Sequence, residues 1–400
     1  MKVTSLQAYA LNARPAETYW GARAWSTERT QEESHGSPVD YPPAARRRYI
    51  YSDTIDAVLV RVESADGVVG WGEAKAPVGA RATATIVTEL LAPLAVGSRL
   101  DEITHTWDRM YAGMRVRGHD SGFWLEAIAG VDIALWDAYA RTLRQPLCAL
   151  IGGRYRDTVP VYASGIPGAP AGSGEPGQDA VRAEAEQLRS RGFRAVKVAI
   201  GARPEDDTAS VRTVREVFGP DSAVFADAAG QYDLPQALRV GRALQDLGVG
   251  FFEMPLPPED LHGYARLAAK LDVPLALDSI ATRHRALEFL RADALHVLQP
   301  DVCRAGGVTE TMRIAALADA FGAQATPHVS IGSAIHNAAS LQCAAAIPNF
   351  AVLEHWIGNN PLLAVAADAP VPSAGEYRVP GTPGLGVSVD EEAVRRFATR

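Results

Sequence analysis

At 400 residues the chain exceeds the roughly 250–300 at which one hydrophobic core stops growing, so two domains or one large barrel are expected. A content of 47% hydrophobic and 22% charged residues excludes a disordered chain. The net charge of -8 argues against nucleic acid or an acidic membrane surface as partner, but not against an anionic ligand, because a bound cation reverses the field locally.

The opening "MKVTSLQAYALNAR" has no uninterrupted apolar stretch of the kind a signal peptide needs, and no 18-residue apolar span follows, so a cytoplasmic, non-membrane protein is expected. Cys148, Cys303 and Cys343 are far apart and form no CxxC pair, which reads as buried free thiols in a reducing compartment. Residues 12–50, rich in Trp, Tyr, Pro, Arg and Glu, show no periodicity and read as a functional loop region or a disordered insertion. "AVLVRVESADGVVGWGEA" (57–74) alternates valines around a turn at Ala65-Asp66-Gly67 and predicts an antiparallel hairpin. "EAIAGVDIALWDAYARTL" (126–143) predicts an amphipathic helix, which completes an α+β unit.

From residue 159 the pattern changes. Short apolar runs recur: "VPVYAS" (159–164), "RAVKVA" (194–199), "AVFAD" (223–227), "VGFFEMP" (249–255), "PLALDS" (274–279), "ALHVLQPD" (294–301), "AQATPH" (323–328) and "FAVLEH" (350–355). Helical patterns closed by glycine, such as "LPQALRVGRALQDLG", lie between them. Eight such alternations predict a parallel α/β barrel. "SGIPGAPAGSGEPG" (164–177) reads as a mobile loop after the first barrel strand, or a disordered insertion.

The runs end in Lys197, Asp227, Glu253, Asp278, Asp301, His328 and Glu354, with separations of 30, 26, 25, 23, 27 and 26 residues. One such residue could be a strand-end charge meeting solvent. Seven in register place them on one rim, at the C-terminal ends of the strands, where barrel active sites lie. Asp227, Glu253 and Asp278, on consecutive strands, offer hard oxygen ligands suited to Mg²⁺; an ion-pair network with arginine is the other reading. Asp301 and His328, on neighbouring strands, can act together, the carboxylate fixing the imidazole tautomer and raising its basicity. With Glu354 on the far side, this describes a site that removes a proton next to a carboxylate. Lys197 is a charge inside the apolar run "FRAVKVAIG", costly to bury unpaired, and Ala199 follows it on the same strand face with nothing ionisable.

Together "GVVGWGEA", "GVDIALWDAYARTLRQPLCALIGGRYRDTVPVYAS", "FADAAGQYD", "FFEMPLPPEDL", "LQPDVCRAGGVTE" and "VPGTPGLGV" resemble recurring segments of the enolase superfamily. Within it, the chain resembles the mandelate racemase-like group with its acid-sugar dehydratases. The resemblance implies a (β/α)₇β modified TIM barrel under an α+β capping domain, with a C-terminal segment closing onto the cap. The expected boundaries are 1–135 for the cap, 136–375 for the barrel and 376–400 for the returning segment. It also implies that Asp227 and Glu253 are metal ligands, that Asp301 and His328 form the general-base dyad, that Glu354 hydrogen-bonds at the substrate carboxylate, and that Lys197, first lysine of the family's Lys-x-Lys strand, faces that carboxylate. A homo-oligomer, from dimer to octamer, is implied as well.

Two positions depart from the family pattern. The third ligand is commonly the Glu of a Gly-Glu pair, where this strand ends "LALDS" and offers Asp278. Ala199 stands where the second lysine, a base on the opposite face, is expected. Racemisation needs an acid–base group on each face of the ene-diolate; β-elimination needs only His328, first as base and then as imidazolium acid. One-base dehydration of a hydroxy acid, a small-molecule carboxylate, is therefore the first expectation. An epimerase or cycloisomerase recruiting a base from residues 12–50 and a non-catalytic carboxylate-binding barrel are the alternatives.

Overall fold

The computed structural model describes residues 1–16, 54–170 and 172–399. From residue 17 onward, the expected loop region 12–50 lies outside the described residues.

The first unit is a three-stranded antiparallel sheet, β1 (Val3–Ala13), β2 (Ile55–Ser64) and β3 (Val69–Ala74), in the order β1-β2-β3. It carries the predicted hairpin, with Val58 opposite Ala74 and Glu63 opposite Val69. Helices α1 (Ala80–Thr85), α2 (Ala92–Ala95), α3 (Ile103–Arg115) and α4 (Phe123–Thr142) follow. In β3, Gly70 and Gly72 let α4 lie directly on the sheet, since a Cβ at either would run into the Ala134 or Gly130 carbonyl.

Helix α4 differs from the amphipathic prediction. It is buried on nearly every side from Trp124 to Ala138, because the sheet covers one face while the neighbouring helices of the same unit and barrel elements cover the rest. Two of its three buried acids join the parts. Asp132 accepts from Thr309 N and Oγ1 at 2.9 and 2.7 Å, and Asp137 accepts from Trp71 N and Leu385 N at 2.9 and 2.8 Å. The helix runs unbroken through residue 135, the expected domain boundary.

After the short α5 (Leu147–Leu150), eight parallel strands alternate with seven helices. They are β4 (Thr158–Pro167), α6 (Gly174–Ser190), β5 (Ala195–Ala199), α7 (Pro204–Phe218), β6 (Ala223–Asp227), α8 (Leu234–Asp246), β7 (Phe252–Glu253), α9 (Leu261–Ala268), β8 (Leu275–Leu277), α10 (Arg283–Arg291), β9 (Val297–Leu298), α11 (Val308–Ala320), β10 (Gln324–Ala325), α12 (Ala334–Ala346) and β11 (Leu353–Trp356). The hydrogen-bonded order is β10-β9-β8-β7-β6-β5-β4-β11, so the last strand pairs beside the first, as in a (β/α)₇β modified TIM barrel. All eight predicted strands are present. The later ones are shorter than their apolar runs; Pro300 and Pro327, which have no N–H to give a ladder, precede Asp301 and His328, and those two residues then form an isolated parallel bridge.

The loop expected at 164–177 after the first barrel strand is shorter than expected, because regular structure takes both its ends. Strand β4 continues through a bulge at Gly165 (φ 135°) to pair Ile166 and Pro167 with Val198 and Ala199, and α6 starts at Gly174. Beyond the barrel, β12 (Glu376–Arg378) pairs antiparallel with β4, and α13 (Glu391–Phe397) leads to Thr399, whose N–H bonds the Ala10 carbonyl of β1. Among the described residues no helix is long and apolar enough to cross a membrane.

Candidate active site

The floor of the site lies inside the barrel, where Tyr162, Phe225 and Phe251 pack together, Phe225 on Phe251 at 4.0 Å. Lys197 Nζ stands 5.4 Å over the Tyr162 ring. All seven residues singled out in the sequence are buried at the strand ends above this floor.

Lys197 is the hub of one side. Its Nζ lies 2.9 Å from Glu253 Oε2, 3.1 Å from Glu354 Oε1 and 3.4 Å from Asp227 Oδ2. Burial alone would discharge the ammonium, but Glu253 and Glu354 outweigh it and push its pKa well above the ordinary lysine value. Glu354 is held the other way. Burial is overcome by Lys197 and His328, so its carboxylate titrates well below the usual range, and Oε2 also accepts from Val329 N and Ser330 N at 3.0 Å each.

Asp227 and Glu253 behave differently. Burial, with repulsion from neighbouring carboxylates, raises both, Glu253 strongly. Glu253 Oε2 accepts from Lys197 and from Gln299 Nε2 at 2.9 Å, while Oε1 is buried with no hydrogen-bond partner. Asp278 keeps a lowered pKa because His328 and Arg304 outweigh its burial; Oδ2 lies 3.7 Å from His328 Nε2 and 3.5 Å from Arg304 Nη1. Excess carboxylate, an unpartnered buried oxygen and hard oxygen donors fit a divalent cation such as Mg²⁺. As with Asp301, Cys303 and His336, the donor atoms of Glu253, Asp278 and His328 all lie within 4.8 Å of one another. Asp227 stands apart from that trio, on the Lys197 side, with Oδ1 taking Ala229 N.

On the other side His328 Nδ1 lies 2.9 Å from Asp301 Oδ2. Burial would protonate Asp301, but His336, Lys75 and His328 hold it well below the ordinary carboxylate range. An anionic carboxylate only accepts, so His328 Nδ1 carries the proton it shares with Asp301, and Nε2 faces Glu354 Oε2 at 3.4 Å. Backbone strain marks the same rim. Ala229, Met254 and Ser330, just past Asp227, Glu253 and His328, have φ of 47°, 40° and 39°, a conformation costing about 1–3 kcal/mol each.

Several residues of the site escape a strand-by-strand reading. Lys75, at the end of β3, reaches Asp301 Oδ2 at 2.7 Å. His336, on α12, places Nε2 3.1 Å from Asp301 Oδ1. Glu126, on α4, is pushed up to about 7 by burial and lies 3.9 Å from Arg304 Nε. The available signal was a charged residue interrupting an apolar run, as in "GWGEAKA" and "FWLEAIA", the same signal that marked Lys197.

Residues 49–152 match the family described as mandelate racemase / muconate lactonizing enzyme, N-terminal domain, and residues 180–393 match the enolase C-terminal domain-like family. The chain is an enzyme of the enolase superfamily, in its mandelate racemase/muconate lactonizing branch. It is 33% identical to D-galactarolactone cycloisomerase of Agrobacterium fabrum, with 85% of this chain and 90% of that protein covered. Arabinonate dehydratase of Saccharolobus solfataricus is 32% identical (86% and 91% covered), and D-galactonate dehydratase of Ralstonia nicotianae 33% (84% and 90%). Among solved structures, an enolase superfamily member from Agrobacterium tumefaciens superposes with a TM-score of 0.86 at 28% identity, covering 98% of both chains. A racemase from Streptomyces coelicolor, with bound magnesium, gives 0.82 at 26%, covering 99% of this chain and all of that one.

Proposed function

We propose that the protein is a Mg²⁺-dependent dehydratase of a hydroxy-acid, sugar-derived carboxylate. The observation that carries this reading is that, among the described residues, the site is armed on one face: an imidazole oriented by a buried anionic Asp301 on one side, and the methyl of Ala199 on the same strand face as Lys197 on the other. The dehydratase relatives support the same chemistry.

Asp227, Glu253 and Asp278 would hold the cation. Bound there, Mg²⁺ supplies positive charge against the substrate carboxylate and the negative charge that develops as its α-proton leaves. Lys197, locked as an ammonium, faces the same carboxylate. Glu354, held by Lys197 and two backbone N–H groups, stays in place to hydrogen-bond at the substrate. His328 Nε2 takes the α-proton. The resulting imidazolium, stabilised by Asp301, gives that proton to the departing β-hydroxyl on the same face, so water leaves and an enol remains that tautomerises to a 2-oxo acid.

A second reading is supported by the cycloisomerase relatives. If the β-oxygen belongs to a lactone ring, the same one-face elimination opens the ring with no loss of mass. A panel of mono- and diacid sugars and their lactones, incubated with Mg²⁺ and read by mass spectrometry, separates the two. Loss of one water from an open-chain acid supports the dehydratase; an isomer formed only from a lactone replaces it.

A further inference from the structure

Lys75 comes from the capping sheet, yet its ammonium reaches the catalytic dyad. Its side chain is 5% exposed, and Nζ lies 2.7 Å from Asp301 Oδ2, the same oxygen that meets His328 Nδ1 at 2.9 Å. The main chain is tied in as well, with Lys75 N bonded to the Cys303 carbonyl at 3.0 Å. Two residues earlier, Glu73 accepts from Ser333 N at 3.0 Å and from His336 N at 3.1 Å. The end of β3 therefore grips two of the barrel segments that contact Asp301: the loop carrying Cys303 and the start of α12.

We infer that Lys75 is a positioning residue lent by the cap, which holds Asp301 Oδ2 against His328 so that the base is assembled only where cap and barrel dock. The inference rests on the reading of His328 as the base. Asp301 Oδ1 is fixed by Cys303 N at 2.9 Å and faced by His336, so Oδ2 is the oxygen left for His328, and Lys75 is its second donor. Removing the ammonium leaves a buried carboxylate short of compensating charge and free to turn. Lys75 does not replace the lysine absent at 199. It touches the dyad on the His328 side, whereas Ala199 sits on β5, in register with Asp227.

The test compares Lys75→Met, Lys75→Gln and Lys75→Arg in the full-length protein with Mg²⁺. Lys75→Met and Lys75→Gln should lower kcat roughly 10–100-fold, the usual scale for removing an outer partner of a site, with KM nearly unchanged. Lys75→Arg, which keeps the charge, should recover the larger part. In the Asp301→Asn background Lys75→Met should cost almost nothing more. A readout independent of turnover is the nitrogen NMR spectrum of ¹⁵N-histidine-labelled protein at one pH. Lys75→Met should alter the His328 Nδ1 and Nε2 signals in the same sense as Asp301→Asn. Wild-type kcat with unchanged His328 signals in Lys75→Met, or full additivity with Asp301→Asn, overturns the inference. If the wild type turns over none of the acids, the dehydratase reading fails, and the NMR comparison still decides the role of Lys75.

Discussion

On the β5–β7 side of the barrel mouth Asp227 and Glu253 share one ammonium, Lys197, whereas on the β9–β10 side a single carboxylate, Asp301, is faced by Lys75, His328 and His336. All three acids are buried, and burial pushes each of them toward the neutral form. The outcome differs because of what surrounds them. Neighbouring carboxylates add to burial at Glu253 and Asp227, whereas Lys75 and the two histidines facing Asp301 overrule it there. One side thus gathers carboxylates whose repulsion a divalent cation would relieve, and the other keeps a carboxylate anionic behind an imidazole.

Chelation with EDTA should abolish activity and Mg²⁺ should restore it, and Glu253→Gln should lose Mg²⁺ binding in calorimetry. Full activity of Glu253→Gln in chelator would mean that the acid-rich side serves only as an ion-pair network. His328→Asn should come next, with kcat lower by roughly 10²–10⁴-fold, the usual worth of general-base catalysis, while calorimetry still shows Mg²⁺ bound.

Glu126 sharpens the comparison through stability. Burial raises its pKa from 4.5 to about 7, despite Arg304 and Lys75. A raised acid contributes fully below its unfolded pKa, and that contribution is lost as pH rises through the folded value. Glu126→Gln should therefore match the wild type near pH 4.5 and exceed it above pH 7 by roughly 2–3 kcal/mol in denaturant unfolding. Equal stability at both pH values would place an ionised Glu126 among the acids of the mouth. The smallest effect is expected at Ala199→Lys. A lysine beside Lys197 is pressed toward its neutral form and should confer slow α-proton exchange on the epimer the wild type ignores, visible by NMR.

The barrel and its rim were legible because each βα unit repeats one pattern, an apolar run closed by a polar residue, so Asp227, Glu253, Asp278, Asp301, His328 and Glu354 could be read from spacing. What the pattern could not supply was partnership across the domains. Lys75 meets Asp301 226 positions away, and the docking of β3 against the barrel decides that contact. The same docking explains α4: its sequence carries polar positions suited to an exposed face, yet Asp132 and Asp137 are buried and bonded to Thr309, Trp71 and Leu385. Nor did spacing anticipate that a donor atom of His328 would come within 4.8 Å of donors on both Glu253 and Asp278.

Proton NMR of the reaction in D₂O tests the central claim most directly. With a panel of acid sugars, Mg²⁺ and wild-type protein, one α-configuration should lose its α-proton together with water, the opposite epimer should keep its proton, and His328→Asn should stop both proton loss and water loss. Exchange of both epimers by the wild type, or α-proton exchange at the wild-type rate in His328→Asn, would contradict a site armed on the His328 face alone.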